Sequence, residues 1–109
     1  MLNKTDAMAT LAVKDLKAAA AFYEEKLGFT RGQVEEEQAI AYKSGNSSLL
    51  VYRSQFAGTN QATAATWAVD DVDEEVKALK AKGIAFEHYN FPGVTLEGDV
   101  HVMGDRRNA

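Results

Sequence analysis

The chain has 109 residues, enough for one domain and too few for a second independent core. Hydrophobic residues make up 46% and charged residues 26%, the balance of a folded chain rather than a disordered one. A net charge of -4, the absence of cysteine and the shortness of every apolar run argue against nucleic-acid binding, disulfides, thiolate chemistry and a membrane span.

The first element is a strand that runs straight into a helix, Ala9 to Asp15 and onward. The same pattern returns later: Ala9, Thr10, Ala12, Val13 and Asp15 recur as Ala65, Thr66, Ala68, Val69 and Asp71, at a constant shift of 56 positions. Leu11 is replaced by Trp67, which keeps that position large and apolar. Asp15 and Asp71 stand where a side-chain oxygen can cap a helix start, and Asp71 with Glu74 has capping-box spacing. Helix one carries Leu16, Ala20, Tyr23 and Leu27 on one face and is followed by Gly28, a residue suited to a left-handed C-cap. The period then changes to two, predicting strands over Phe29–Val34, Ala39–Lys43 and Ser48–Arg53. The acidic run Glu35-Glu36-Glu37 is expected to be a solvated hairpin turn, and Ser44-Gly45-Asn46 a second turn.

The linker, 55–63, contains Gly, Asn and an exposed-loop candidate for docking, Phe56. Helix two follows, with Val72, Val76 and Leu79 on its apolar face and Gly83 beyond its end. A strand is expected over Ile84–Tyr89 and a shorter one over Val100–Met103, separated by the chain-breaking Phe91-Pro92-Gly93. The predicted fold is therefore α+β. Two βαβββ modules, 1–54 and 64–109, share a curved mixed sheet with helices on its outer face, and the second module lacks its last strands.

Strand alternation assigns the faces. Leu11, Val13, Trp67 and Val69 share the parity expected to pack under the helices, with Leu49 and Val51. Thr10, Ala12, Thr66 and Ala68 are small and share the other, open parity, with Leu50 and Tyr52. Tyr42 joins the open side if its hairpin takes the matching register. By this parity Trp67 is core, while Tyr52 is either a groove residue that stacks and hydrogen-bonds or a packed phenol at the rim.

The segments Ala9-Thr10-Leu11-Ala12-Val13-Lys14-Asp15, Phe22-Tyr23 and Leu27-Gly28-Phe29 together resemble the opening of the vicinal-oxygen-chelate superfamily, which includes glyoxalase I, bleomycin-resistance proteins, fosfomycin-resistance enzymes and extradiol dioxygenases. Trp67-Ala68-Val69-Asp70-Asp71-Val72-Asp73 with Leu79 and Lys82-Gly83 is similar to the start of its second module. The resemblance implies metal-ligand positions at Met8, Ala64 and near Leu50, where metal-using members carry His or Glu. None of these three side chains suits a hard divalent cation. The family's closing motif, an aromatic strand followed by Asp-Pro-x-Gly-Asn, is absent.

A separate metal site assembled from His88 and His101 with Asp99 or Glu87 is conceivable by ligand type but follows no recognised spacing. The expected function is thus metal-free binding of an apolar or aromatic small molecule, with no cofactor. Met8, Thr10, Leu50, Tyr52 and Thr66 line the groove, and Tyr42, Phe56 and His101 stand at its rim. The alternative is a metal-dependent lyase, isomerase or dioxygenase. A short second module leaves an open sheet edge, so the expectation is either a homodimer in which a second copy covers it or a naturally shortened protein. With Lys4 and Asp6 near the start and no signal-peptide core, the location expected is cytoplasmic, with neither nucleic acid nor membrane as partner.

Overall fold

Asp15 follows the first strand with an extended backbone and turns its carboxylate onto the N–H groups of Lys17 and Ala18, at 2.9 and 3.2 Å. Those donors have no partner inside a helix, so the cap starts helix α1 (Leu16–Ala20) at its expected position. The structure, a computed structural model, describes residues 1–109, except that the side chains of residues 33–36 lie outside the description. The chain divides into two units, Met1–Thr66 and Trp67–Ala109, each with a sheet of its own.

In the first unit, strands β1 (Ala9–Val13), β2 (Thr30–Glu36), β3 (Ala39–Ser44) and β4 (Ser47–Arg53) form one mixed sheet in the order β1-β4-β3-β2. β1 runs parallel to β4, pairing Thr10 with Leu50 and Ala12 with Tyr52, and the remaining pairs are antiparallel. The connection from β2 to β3 turns at Glu37-Gln38. The side chains of Glu35 and Glu36, assigned to a solvated turn by the sequence, fall outside the described residues.

Helix one departs from its expected form. After Ala20 it continues as a π-helix over Ala21–Lys26, with the Leu27 N–H reaching back five residues to the Phe22 carbonyl at 3.1 Å. Ala19, rather than Ala20, is its most buried residue, and Leu16 and Tyr23 pack on the core beside it. That core joins Tyr42, Leu49 and Val51 to Ala19, with Leu11, Val13, Phe29 and Ile40 around them. Leu11, Val13, Leu49 and Val51 thus take the helix face that alternation predicts.

In the second unit, Asp71 caps helix α2 (Val72–Ala81) through the Glu74 N–H at 3.2 Å. The helix ends as expected at Gly83, whose φ is +88° and whose N–H bonds the Lys80 carbonyl, while the Ile84 N–H bonds that of Leu79. Val76 and Val100 are its buried side chains, and α2 lies against strand β6 (Val100–Met103).

Two strand expectations fail here. Neither the segment holding Trp67 and Val69 nor Ile84–Tyr89 forms a strand. An extended segment becomes a strand only through a backbone partner, and in this unit the Tyr89 N–H is taken by the His101 Nε2 at 2.9 Å instead. Trp67, expected in the core, is 47% exposed. Two short strands that the sequence pattern did not reveal, β5 (Thr95–Glu97) and β7 (Arg106–Asn108), flank β6 in an antiparallel three-stranded sheet. Their hairpin turns are Gly98-Asp99 and Gly104-Asp105, each opening on a left-handed glycine, at φ +63° and +60°. Arg107 ties this sheet together with α2. Its guanidinium donates two bonds to Asp73, at 2.9 and 3.0 Å, and one to Glu97 at 2.7 Å.

Candidate functional site

The sheet of the first unit presents two unlike faces. Toward α1 it offers Leu11, Val13, Tyr42, Leu49 and Val51. The opposite face carries Thr10 and Ala12 from β1, Leu50 and Tyr52 from β4, and Ala39 and Ala41 from β3, placed by the register Ala39↔Tyr52 and Ala41↔Leu50. Gly32 stands over Ala41, and a Cβ there would meet the Ala41 carbonyl oxygen at 3.4 Å. The floor is thus built from small residues, with Leu50 half-buried at its centre and Tyr52 37% exposed beside it. Met8 precedes β1 with the parity of Thr10 and is 46% exposed, and its carbonyl accepts a long bond from the Thr10 hydroxyl at 3.4 Å.

The residues singled out in the sequence therefore separate. Thr10, Leu50 and Tyr52 come together on one face, and Met8 immediately precedes β1. Phe56 lies in the turn after β4, 68% exposed, and Thr66 lies outside any strand. His101 belongs to β6 of the second unit.

Tyr42 requires a correction. The β3–β4 register pairs it with Leu49 rather than with Leu50, so it points to the helix face and is fully buried. Its hydroxyl donates to the Glu24 carboxylate at 2.8 Å, and Arg31 Nε donates to the same oxygen at 3.0 Å. Tyr23 and Phe29 surround the ring, at centroid distances of 5.7 and 6.4 Å.

The neutral phenol is favoured in this position. Burial, then the adjacent Glu24 carboxylate, pushes the Tyr42 pKa from 10.0 up to about 12. The Tyr42 hydrogen bond, then Arg31, holds Glu24 below its ordinary 4.5. The two signs differ in consequence. An unfolded tyrosine ionises first, so the stability that comes from keeping Tyr42 neutral is complete below pH 10 and lost as pH rises through about 12. The Glu24 contribution is present above its ordinary pKa and lost as pH falls through the lower folded value. A tyrosinate absorbance titration is expected to show Tyr42 ionising near pH 12, with the urea midpoint falling over the same alkaline range. Four phenols titrating together near their ordinary value would contradict this placement.

The two places that the sequence raises for a metal differ in what they offer. The positions that the family resemblance implies hold Met8, Ala64 and, nearby, Leu50, whose side chains offer a hard cation no oxygen or nitrogen donor. In the second unit His88, Asp99 and His101 lie close together, with one ring nitrogen of each histidine and both Asp99 oxygens already engaged. His88 Nε2 lies 2.6 Å from one Asp99 oxygen and Lys80 Nζ 2.6 Å from the other, while His101 Nε2 accepts the Tyr89 N–H. Lys80, then His88, holds the Asp99 carboxyl below its usual range. A lysine ammonium already occupies the charge position a cation would take. Among the described residues no group of three or more His, Asp or Glu side chains is placed to hold a metal ion. No helix among them is long and apolar enough to cross a membrane.

Sequence reasoning missed one feature of the first unit. Where β1 and β4 finish and the β2–β3 turn comes alongside, Lys14, Gln38, Arg53, Ser54 and Gln55 line an open recess of about 440 Å³. Two backbone bonds frame it: Arg53 N–H to the Gln38 carbonyl at 2.8 Å, and Ser54 N–H to the Val13 carbonyl at 2.9 Å. None of its lining residues was expected in the groove. They come from three separate stretches of chain, so no local pattern marks them.

A sheet with a parallel β1–β4 pair, one helix-covered face and one open face defines a fold of the α+β class. A profile of the Glyoxalase/Bleomycin resistance protein/Dioxygenase superfamily matches residues 6–96, and the chain belongs to that superfamily. Its structure is similar to that of a glyoxalase family protein from Enterococcus faecalis (20% identity, TM-score 0.64), covering 96% of this chain and 94% of that one. A lactoylglutathione lyase from Agrobacterium tumefaciens shares 24% identity at a TM-score of 0.57 over 90% of this chain and 81% of its own. A bleomycin-binding protein complexed with bleomycin gives 21% and 0.57, over 94% and 92%. These likenesses establish the fold. Among curated proteins none matches the chain.

Proposed function

We propose that this protein binds an apolar or aromatic small molecule on the open face of its four-stranded sheet, without a metal and without transforming the ligand. The observation that carries the reading is Leu50. It occupies the centre of that face as register partner to Thr10, and it is near Leu50 that the family resemblance implies a glutamate in metal-using members. The ligand's apolar surface rests on Leu50 and Met8, Tyr52 stacks on it or hydrogen-bonds it, and Thr10 orients a polar group.

The reading includes a homodimer in the cytoplasm, supported by the large apolar side chains exposed on the second unit, Tyr89, Phe91 and Met103 among them.

Three measurements test it. Elemental analysis of protein purified without chelator should find no stoichiometric divalent metal, and finding one would favour a lyase or dioxygenase instead. Tyr52→Ala should weaken any aromatic ligand found by roughly tenfold, a typical loss for one stacking partner; unchanged affinity would remove Tyr52 from the site. Light scattering should return twice the 11.9 kDa chain mass, and a clean monomer would remove the dimer from the proposal.

A further inference from the structure

We propose that the recess at the end of β1 and β4 is an anion subsite, which takes the carboxylate or phosphate of an amphipathic ligand whose apolar part lies on Leu50 and Tyr52. The inference rests on the ligand-binding reading above and adds the ligand's charge class.

Two cations, Lys14 and Arg53, line one recess in a chain whose net charge is -4. Acidic partners are plentiful in such a chain, yet among the described residues neither cation enters an ion pair. Asp15, the acid next to Lys14, commits its Oδ1 to the Lys17 and Ala18 N–H groups. The other lining groups add donors: the amides of Gln38 and Gln55, and the Ser54 hydroxyl, which accepts the Phe56 N–H at 3.1 Å and keeps its own proton to give. An excess of donors with two positive charges matches a group with several acceptor oxygens, and the planar guanidinium suits a carboxylate or phosphate.

The volume of about 440 Å³ falls in the range of small-ligand sites. The recess reaches the open face through Lys14, which follows β1 with the parity of Thr10 and Ala12, whereas Arg53, paired with Val13, has the helix-face parity and closes the recess at the end of the sheet. Its residues are largely solvent-exposed, so an anion alone binds weakly there and the apolar contact supplies the rest of the affinity.

The test compares benzoate, its neutral counterpart benzamide, and inorganic phosphate in backbone-amide NMR titrations of the full chain. Benzoate should bind roughly tenfold more tightly than benzamide, and both benzoate and phosphate should shift the amides of Gln38, Ser54 and Gln55. In the double variant Lys14→Gln, Arg53→Gln, benzoate should fall to the benzamide affinity and phosphate should leave those amides unmoved. Should that variant fail to fold, salt gives the same answer on the unaltered protein. Raising NaCl from about 20 to about 200 mM should weaken benzoate several-fold and leave benzamide unchanged.

Equal binding of benzoate and benzamide, with no anion-induced shift at the recess, would overturn the subsite while leaving the open-face reading intact if both probes shift Leu50 and Tyr52. Phosphate shifting the recess while neither aromatic probe touches Leu50 or Tyr52 would overturn the open-face reading and leave an anion site alone. Phosphate without benzoate at the recess would assign it to phosphate ligands, and the reverse to carboxylates.

Discussion

Replacing Tyr42 by alanine is expected to lower the unfolding free energy by about 3–5 kcal/mol, and replacing it by phenylalanine by about 1 kcal/mol. The ring is fully buried between Tyr23 and Phe29, with Leu49 and Val51 in the same core. Alanine leaves a cavity that these neighbours cannot close, because they are fixed by the sheet and by the end of helix one. Phenylalanine keeps the packing and removes only the hydroxyl, after which the Glu24 carboxylate still has Arg31 as a partner. Urea denaturation of the two variants reads both values. A loss for alanine no larger than that for phenylalanine would mean that Tyr42 faces solvent, and with it the open side of the sheet.

An equally large effect is expected from Val51→Asp, set against Leu50→Asp one residue away. Val51 is 0% exposed and Leu50 lies on the other face. A carboxylate at position 51 has no counter-charge within the apolar cluster, and burying it unpaired costs about 4 kcal/mol or more. That is a large share of the roughly 5–15 kcal/mol a small domain has in total. Aspartate at position 50 can reach water, so it should cost no more than about 1 kcal/mol while abolishing apolar ligand binding. Circular dichroism with thermal melts distinguishes the two variants. Equal destabilisation would show that both faces are packed and that there is no ligand surface.

The contrast between these neighbouring positions is legible in the amino-acid sequence, because in a strand only alternation is needed to assign a face. The same rule fails for Tyr42. Its own strand lies where the period of two predicts it, but its face depends on how β3 registers against β4, and a shift of one residue reverses it. In the second unit the difficulty is pairing. Ile84–Tyr89 has the composition of a strand and no ladder partner in its unit, whereas Thr95–Glu97 and Arg106–Asn108 are too short to show a period. Their signal lies in the turns, where Gly98-Asp99 and Gly104-Asp105 are two-residue hairpin pairs of the kind that Gly45-Asn46 forms between β3 and β4. Of the candidate site, the open face is visible from parity alone. The recess is not, since Lys14, Gln38 and Arg53 meet only once three chain segments have been brought to one end of the sheet.

Thirteen positions separate the capping Asp15 from Gly28, but only twelve separate Asp71 from Gly83. The first helical segment thus carries one residue more than the second, and its wide turn at Ala21–Lys26 takes that residue up. With the extra length absorbed there, the Phe29 N–H still closes on the Tyr23 carbonyl at 2.9 Å and the Phe29 ring still enters the core, so the exit angle of the chain into β2 is set by the helix's last turn rather than by the loop after it.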